Sequence, residues 1–229
     1  MIVVIPARGG SKRIPGKNIK LFNGEPILST TIKKIKQFDF IEDIIVSTDD
    51  FKIKTIAENL GIKVRNLRPQ NLSTDLVDTL SVMKYEITNF IDDLSSESLV
   101  SCVYPTSVFI NEKDFFLSTK IAKIQHEGFV ISAGKYGHPI QRAFKVGEDG
   151  RIFHDSVVNV GTRTQDLSPY FHDAGQFYTG TVSAWRNSES IINNTTIAIE
   201  LPPWSYIDID EPEDWEMAEI VHKISLSGK

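Results

Sequence analysis

A short loop near the N-terminus has the residue types and spacing of an anion-binding site. It follows the apolar run 1–5 and contains two adjacent glycines, Gly9 and Gly10. Adjacent glycines let successive backbone N–H groups approach a ligand and form a concavity for an anion. The cations of the loop are Arg8, Lys12, Arg13 and Lys17. Each would contribute roughly 4 kcal/mol at about 4 Å from a phosphate oxygen, at an effective dielectric of about 20 and before desolvation. The loop is therefore predicted to hold a polyphosphate.

Two common phosphate loops do not match this spacing. A Walker loop has four residues between its glycines and then Lys-Ser or Lys-Thr, whereas five residues separate Gly10 from Gly16 here and Asn18 follows Lys17. The dinucleotide fingerprint places one residue between its first two glycines, whereas Gly9 and Gly10 are adjacent. The remaining alternative is a solvated basic turn, which the paired glycines and the preceding strand disfavour.

Composition limits the classes of function that the chain can have. With 229 residues, 41% of them hydrophobic and 24% charged, it is typical of a globular protein with one large core. Its single cysteine, Cys102, excludes an intrachain disulfide and predicts a cytoplasmic location. The sequence has no Cys/His cluster for zinc and no apolar stretch of about 18 residues, so we expect no membrane span. A net charge of −5 disfavours a nucleic-acid partner.

Buried-strand patterns alternate with helical patterns, which predicts an α/β fold built on a mostly parallel sheet. Helices are expected at 26–38, 51–60, 78–90, 112–125, 188–192 and 213–224. Strands are expected at 2–5, 42–47, 62–64, 99–103, 197–200 and 206–210, with further regular structure at 177–185. We interpret residues 1–229 as a single domain.

The pattern changes after residue 128. The segments 129–133, 140–146 and 151–153 resemble short antiparallel strands around the turn 148–150, and 157–172 is polar and irregular. We interpret about 135–172 as a small β-rich arm inserted between the two halves of the sheet.

Polar segments follow several of the predicted strands. In an open parallel sheet the carboxyl ends of the strands meet at one edge, where ligands bind. The segments 47–50, 104–107 and 68–75 all fall at such positions. Each alone is compatible with helix capping, for example by Thr48 or Asp50. Together with the basic loop they indicate a nucleotide pocket.

Asp208 and Asp210 are candidate metal ligands. If 206–210 is a strand, the two carboxylates share one face while Ile207 and Ile209 enter the core. Their Cα atoms would then lie about 6.6 Å apart, within reach of one cation. Magnesium is the natural choice because it is commonly held by one or two carboxylates plus substrate phosphates. In the alternative interpretation Asp210 is the N-cap of the last helix.

The segment 173–178 offers an amide, a hydroxyl and two rings, which suit a sugar but also an ordinary edge strand. Arg142 is a cation that could meet a substrate carboxylate. His138, which precedes a proline, is interpreted as a loop residue rather than as a catalytic base.

The motifs 5–12, Pro15 and 17–18 resemble the signature loop of the cytidylyltransferases that activate acidic nine-carbon sugars. The segments 47–50, 68–69, 105–107 and 208–210 follow in the same order, so the resemblance covers nearly the whole chain. It implies a Rossmann-like three-layer nucleotidyltransferase fold with a dimerisation arm. It also implies transfer of CMP from CTP to the anomeric hydroxyl of the sugar, with release of pyrophosphate and with Mg²⁺.

Within this family, the segments 104–106, 139–143, 173–178 and 201–204 look most like the pseudaminic acid enzymes. Tyr104 stands where the sialic acid enzymes usually have glutamine. An apolar, aromatic wall would suit a 6-deoxy sugar with acylated amines. Legionaminic and N-acetylneuraminic acids are the alternatives. A nucleotidyltransferase for another substrate, a non-catalytic nucleotide-binding module and a structural protein are more distant ones.

The resemblance also implies roles for individual residues. The triphosphate would be held by the loop, with catalytic contributions from Arg8, Lys12, Lys17 and Asp210. The nucleotide-binding residues would be Ala7, Arg8, Gly9, Gly10, Ser11, Lys12, Lys17, Asn18, Asp49, Arg68 and Ser73. The sugar would contact Tyr104, Thr106, Arg142, Gln176 and Tyr178. The metal ligands would be Asp208 and Asp210, and the arm would form a homodimer.

Overall fold

The computed structural model describes residues 1–90, 94–153 and 162–227, and within them ten strands and six helices form. The strands are β1 (Ile2–Pro6), β2 (Leu21–Phe22), β3 (Glu25–Pro26), β4 (Asp43–Ser47), β5 (Leu99–Val103), β6 (Phe129–Lys135), β7 (Lys145–Val146), β8 (Ile152–Phe153), β9 (Phe171–Thr181) and β10 (Ile197–Glu200). The helices are α1 (Ile27–Ile35), α2 (Phe51–Asn59), α3 (Thr79–Phe90), α4 (Glu112–Gln125), α5 (Val182–Asn187) and α6 (Pro212–Ser227).

The central sheet has six strands in the order β10-β6-β9-β5-β1-β4. β1 runs parallel to both β4 and β5, and β10 runs parallel to β6. β9 is antiparallel to its neighbours β5 and β6. The sheet is therefore mostly parallel, as the sequence predicts, with one antiparallel strand inserted near its middle.

Helices cover both faces of this sheet and give the three-layer fold. Side chains of a strand alternate between faces, so Val3 and Ile5 pack on one side with α1, α2 and α4. Val4 packs on the opposite side with α3 and α5. Trp185 of α5 is fully buried there, and its Nε1 donates to the carbonyl of Val100 at 2.9 Å.

A third apolar cluster attaches the C-terminal helix to the N-terminal loop. The rings of Phe22 in β2 and Trp215 in α6 meet edge to face, with centroids 5.6 Å apart. Ile14 of the loop and Ile209, which precedes α6, are buried in the same cluster. The loop and the chain entering α6 therefore share one core. No helix in the described parts of the chain is long and apolar enough to cross a membrane.

Most predicted elements form within a few residues of their expected bounds, but four differ. The predicted helix at 188–192 is wrong, because α5 ends at Asn187 and the backbone at Ser188 is extended. Residues 206–210 are not a strand, since no neighbouring strand pairs with them. The predicted strand 62–64 makes only a single bridge, between Lys63 and Ile45. Residues 140–142 form a 3₁₀ turn instead of part of a strand.

The predicted arm corresponds to several small elements. Within it, β7 and β8 form a two-stranded antiparallel sheet separate from the central one. Its predicted limits fall inside regular structure, because residue 135 ends β6 and residues 171–172 begin β9. Of the segment 157–172 that is predicted to be irregular, residues 157–161 fall outside the described residues.

Candidate active site

A cleft of about 670 Å³ opens at the carboxyl ends of the parallel strands. It is bounded by the N-terminal loop, the segment before α3, the start of β9 and the segment before α6. Most of the predicted site residues line it. They are Arg8, Ser11, Lys12, Lys17, Asn18, Arg68, Tyr104, Thr106, Tyr178, Asp208 and Asp210.

Seven predicted site residues do not line this cleft. Ala7 is in the core, and Gly10 lies at the surface of the loop. The N–H of Gly9 donates to Asp49 Oδ1 at 2.9 Å, so these two residues join the loop to the segment that follows β4. Ser73 accepts a hydrogen bond from Arg68 Nε at 3.3 Å and so lies next to the cleft rather than in it.

The other two belong to the predicted sugar site. Gln176 is buried, and its Nε2 donates to the carbonyl of Ser205, so its amide is used inside the protein. Arg142 lies on the arm, where it donates to the carbonyl of Thr162 at 2.7 Å. Their side chains are thus committed elsewhere in this structure, and sugar binding by either remains a prediction.

The four cations of the N-terminal loop are paired with carboxylates. Arg8 and Lys12 both pair with Asp75. The hydrogen bonds that they donate, first from Lys12 and then from Arg8, lower the pKa of the Asp75 carboxyl. Asp210 forms ion pairs with Arg13 at 2.9 Å and with Lys17 at 3.3 Å. Asp75 and Arg13 are absent from the predicted site residues, although both line the cleft.

Two further contacts fix the conformation of the loop. The Lys17 ammonium also donates to the carbonyl of Ile209 at 2.7 Å, which joins the loop to the segment before α6. Asn18 is buried, and its amide donates to the carbonyl of Arg8 at 2.9 Å. Gly16 adopts a φ of 62°, a left-handed conformation that favours glycine, and so lets the chain turn before Lys17. These contacts hold the loop in one conformation.

A buried polar network positions Arg68 at the side of the cleft. Ser47 at the end of β4 donates to Glu86 of α3 at 2.5 Å and lies 3.4 Å from the Arg68 guanidinium. Burial raises the pKa of the Glu86 carboxyl, while Ser47 and Arg68 oppose that shift. Burial likewise lowers the pKa of Arg68, against the attraction of Asp49 and Glu86. These groups hold the guanidinium in a fixed orientation.

The segment carrying Asp208 and Asp210 is held by its neighbours instead of by strand pairing. The Tyr206 ring packs directly on Gly134, where any side chain would overlap it. Ile209 is fully buried. The backbone N–H groups of Asp210 and Glu211 donate to Asp214 Oδ2 at 3.0 and 2.8 Å. The helix begins at Pro212, and the carbonyl of Glu211 accepts from the N–H of Trp215 at 3.2 Å. Glu211 therefore occupies the N-cap position, and the alternative role of Asp210 as the N-cap is wrong.

Asp208 and Asp210 are the candidate metal ligands of the cleft. The described residues contain no cluster of three or more carboxylate, histidine or cysteine ligands. Asp208 faces the cleft without a hydrogen bond or ion pair to any described residue. Its pKa is raised by desolvation first and then by the negative charges of Asp210, Asp173 and Asp214, against Lys17. A divalent cation would relieve this repulsion, so the pair Asp208 and Asp210 fits magnesium completed by phosphate oxygens.

The opposite wall of the cleft is aromatic. The Tyr104 and Tyr178 rings lie 5.4 Å apart, edge to face. The Tyr104 hydroxyl is hydrogen-bonded to Thr79 at 2.7 Å, and burial raises its pKa to about 12. The Tyr178 hydroxyl donates to Asp173 at 2.6 Å. The cleft thus has a cationic end and an aromatic end with fixed polar groups.

Comparison with known proteins identifies the class of enzyme. The family model for cytidylyltransferases matches residues 2–179. The chain therefore belongs to the cytidylyltransferase family, whose members are nucleotidyltransferases that use CTP.

Individual relatives narrow the comparison. A pseudaminic acid cytidylyltransferase from Campylobacter jejuni is 34% identical over 229 residues, covering 98% of this chain and 97% of the relative. A CMP-N,N'-diacetyllegionaminic acid synthase from Legionella pneumophila is 28% identical, covering 96% and 94%. The solved structure of a CMP:2-keto-3-deoxy-manno-octonic acid synthetase complexed with CTP superposes with a TM-score of 0.72 at 14% identity, covering 98% of each chain. That likeness shows the nucleotidyltransferase fold.

The buried network predicts a specific pH dependence of stability. Burial raises the pKa of the Glu86 carboxyl above its ordinary value of 4.5, so the folded protein holds this proton more tightly than the unfolded chain does. The stability that comes from protonated Glu86 is fully present below pH 4.5 and is lost as the pH rises through the folded pKa. Glu86→Gln removes this titration while keeping a hydrogen-bond acceptor for Ser47. The unfolding free energies of both proteins are measured by urea denaturation. The difference, variant minus wild type, should increase as the pH rises.

The exposed Glu97 provides the matched control for this measurement. Glu97→Gln should leave the pH profile parallel to that of the wild type. Parallel profiles for Glu86→Gln as well would contradict the assignment of a raised pKa to Glu86.

Proposed function

We propose that this enzyme transfers CMP from CTP to the anomeric hydroxyl of pseudaminic acid and releases pyrophosphate. The observation that carries the proposal is the 34% identity to pseudaminic acid cytidylyltransferases over 98% of the chain. The two ends of the cleft agree with it, since one is cationic and the other aromatic with few free polar groups. N-acetylneuraminic and legionaminic acids are the alternative sugars.

The cations of the loop would bind the triphosphate and stabilise the leaving pyrophosphate. Arg8, Lys12 and Lys17 line one end of the cleft, and their paired carboxylates can be exchanged for phosphate oxygens. As the sugar oxygen bonds to the α-phosphorus, the bond to the β-phosphate oxygen breaks and charge accumulates on the departing group. Preorganised cations lower the barrier because they are already oriented toward that charge. Asn18 and Arg68, deeper in the cleft, are proposed to contact the nucleoside.

Asp208 and Asp210 are proposed to hold Mg²⁺ together with phosphate oxygens of CTP. When bound, the cation would neutralise charge at the α-phosphate and lower the pKa of the attacking hydroxyl. Asp208 is the more available ligand, because Asp210 already pairs with Arg13 and Lys17. Lys17 and Arg13 would then orient Asp210 and limit the repulsion between the two carboxylates.

The Tyr104–Tyr178 wall is proposed to favour the 6-deoxy end of pseudaminic acid. Tyr178 is buried and Tyr104 is partly exposed to the cleft, and both hydroxyls already have protein partners. The wall therefore offers apolar surface to the sugar and few free hydrogen-bonding groups. A sugar with additional hydroxyls would lose water contacts there without replacement.

We further propose that the enzyme acts in the cytoplasm as a homodimer, making an activated sugar for surface glycans or flagellin glycosylation. The free, buried thiol of Cys102 is compatible with that location, which cell fractionation would test. The described part of the arm exposes large apolar side chains, which supports an interface. They are Tyr136, Ile140, Phe144, Val146, Ile152, Phe153, Tyr170 and Phe171.

The dimer predicts that charges on the arm will separate the subunits. Val146 and Ile152 are cross-strand partners, so their exposed side chains share one face. Val146→Asp with Ile152→Asp should convert a dimer into a monomer in light scattering after size exclusion. Ile224→Asp on the exposed side of α6 is the control and should leave the mass unchanged. A monomeric wild type at micromolar concentration would reject the dimer.

The proposed reaction is tested by pyrophosphate release from CTP with Mg²⁺ and each of the three acidic sugars in parallel. We expect the largest kcat/KM with pseudaminic acid. Asp208→Asn should lower kcat by about 10²-fold, since a charge positioned for the transition state is lost, while CTP binding without Mg²⁺ stays unchanged.

The control is Asp149→Asn, which removes the same charge from an exposed site on the arm. It should leave kcat unchanged. Release with another acidic sugar alone would overturn the pseudaminic acid assignment and keep the reaction. No release with any of the three would overturn the proposed function, and near-normal turnover by Asp208→Asn would overturn the metal assignment.

A further inference from the structure

We propose that Asp173 is a specificity-determining residue that accepts hydrogen bonds from N–H or O–H donors of the acidic sugar. The inference rests on the proposed function, because it concerns the sugar end of the same cleft. Asp173 lines the cleft together with Tyr104, Gly175 and Tyr178.

The carboxylate of Asp173 is held by two donors of the protein. Its Oδ2 accepts from the Tyr178 hydroxyl at 2.6 Å, and its Oδ1 accepts from the backbone N–H of Gly175 at 2.9 Å. Gly175 has a φ of 62°, so this tight turn favours glycine. The Tyr178 ring is buried against Tyr104 and cannot swing away. Both oxygens of Asp173 are therefore fixed before a ligand arrives.

The charges around the cleft distinguish Asp173 from the other acids. Asp75 and Asp210 are neutralised by cations of the phosphate loop. Asp208 faces the proposed cation site. Asp173 makes no ion pair with any described residue, and its two partners are neutral donors. It would repel the phosphates of CTP and the carboxylate of the sugar, so the substrate groups that it can attract are hydrogen-bond donors.

Space for such a donor is present beside Asp173. A Cβ atom built on Gly175 would lie 3.8 Å from Asp208 Oδ1 and 3.9 Å from Tyr104 Cδ2. Gly175 therefore lies between the acidic and aromatic sides of the cleft and leaves the gap between them open. Each carboxylate oxygen can accept a second hydrogen bond. Pseudaminic acid offers N–H donors on its acylated amines, and the alternative sugars also offer such N–H groups together with hydroxyls.

A carboxylate aimed in this way would discriminate among sugars. A site built to receive a hydrogen bond discriminates against an analogue that lacks the donor, because displacing water from the carboxylate is then not compensated by a new hydrogen bond. The aromatic wall would select against additional hydroxyls, while Asp173 would require a donor at one position. The two contacts together would fix the orientation of the sugar relative to the phosphate loop.

The test is a comparison of KM for the sugar with KM for CTP in Asp173→Asn. This variant keeps the shape of the side chain but loses the charge and one acceptor. The KM for the sugar should rise by about ten- to a hundredfold, as expected for a lost hydrogen bond to a charged group. The KM for CTP should stay within about twofold of the wild type. Asp149→Asn on the arm is the charge-matched control and should change neither constant.

Tyr178→Phe removes the hydroxyl that orients Asp173 and keeps the ring. It should raise the KM for the sugar less than Asp173→Asn does, and the double variant should resemble Asp173→Asn alone, because Tyr178 acts through Asp173. Additive effects in the double variant would contradict that coupling. Thermal melting of all three variants shows whether any of them has lost stability. If one single variant is poorly folded, the other still tests the proposal.

Two results would overturn the proposal. One is an unchanged KM for the sugar in Asp173→Asn. The other is an equal rise of both Michaelis constants, which a general distortion of the cleft would produce. Turnover of N-acetylneuraminic acid instead of pseudaminic acid by the wild type would overturn only the sugar assignment. The Michaelis constants would then be measured with N-acetylneuraminic acid. Asp173→Asn should again raise the KM for the sugar and leave the KM for CTP unchanged.

Discussion

The structure depends first on compensating the charge of the phosphate loop. Four cations lie within ten residues, from Arg8 to Lys17, and their mutual repulsion would open the loop without counter-charges. The carboxylates that compensate them come from far along the chain, since Asp75 is 67 residues from Arg8 and Asp210 is 193 residues from Lys17. The loop is therefore formed only when the whole fold is present. Because these are contacts at an open cleft, we propose that a triphosphate takes over the cations without disrupting the core.

The topology of the sheet explains how the two ends of the cleft meet. β1, β4 and β5 all direct their carboxyl ends to the same edge. β9 runs in the opposite direction and pairs Phe177 with Val103 at the end of β5. The beginning of β9, with Asp173 and Tyr178, therefore reaches the edge where the parallel strands end. One antiparallel strand thus brings the aromatic wall beside the phosphate loop.

Local sequence patterns predict the parts of the fold that depend on local interactions. The glycine pair, the clustered cations and the buried strands are contiguous in sequence, and the structure has them where they are expected. The direction of β9 could not be predicted, because it is set by pairing with β5 and β6. Residues 207–210 alternate apolar and acidic side chains like a strand, yet Ile209 packs against α6 and no described strand pairs with them. The role of Asp75 was missed because its partners lie more than sixty residues away, and a lone acid before a helix resembles a cap.

The central claim is that the loop's cations exchange their carboxylate partners for the phosphates of CTP. Calorimetric titration of CMP, CDP and CTP into the wild-type enzyme at two salt concentrations tests it most directly. Affinity should rise with each added phosphate, by at least about tenfold from CMP to CTP, and added salt should reduce this gain. Equal affinity for CMP and CTP at both salt concentrations would show that the loop does not bind the triphosphate, and would contradict the account.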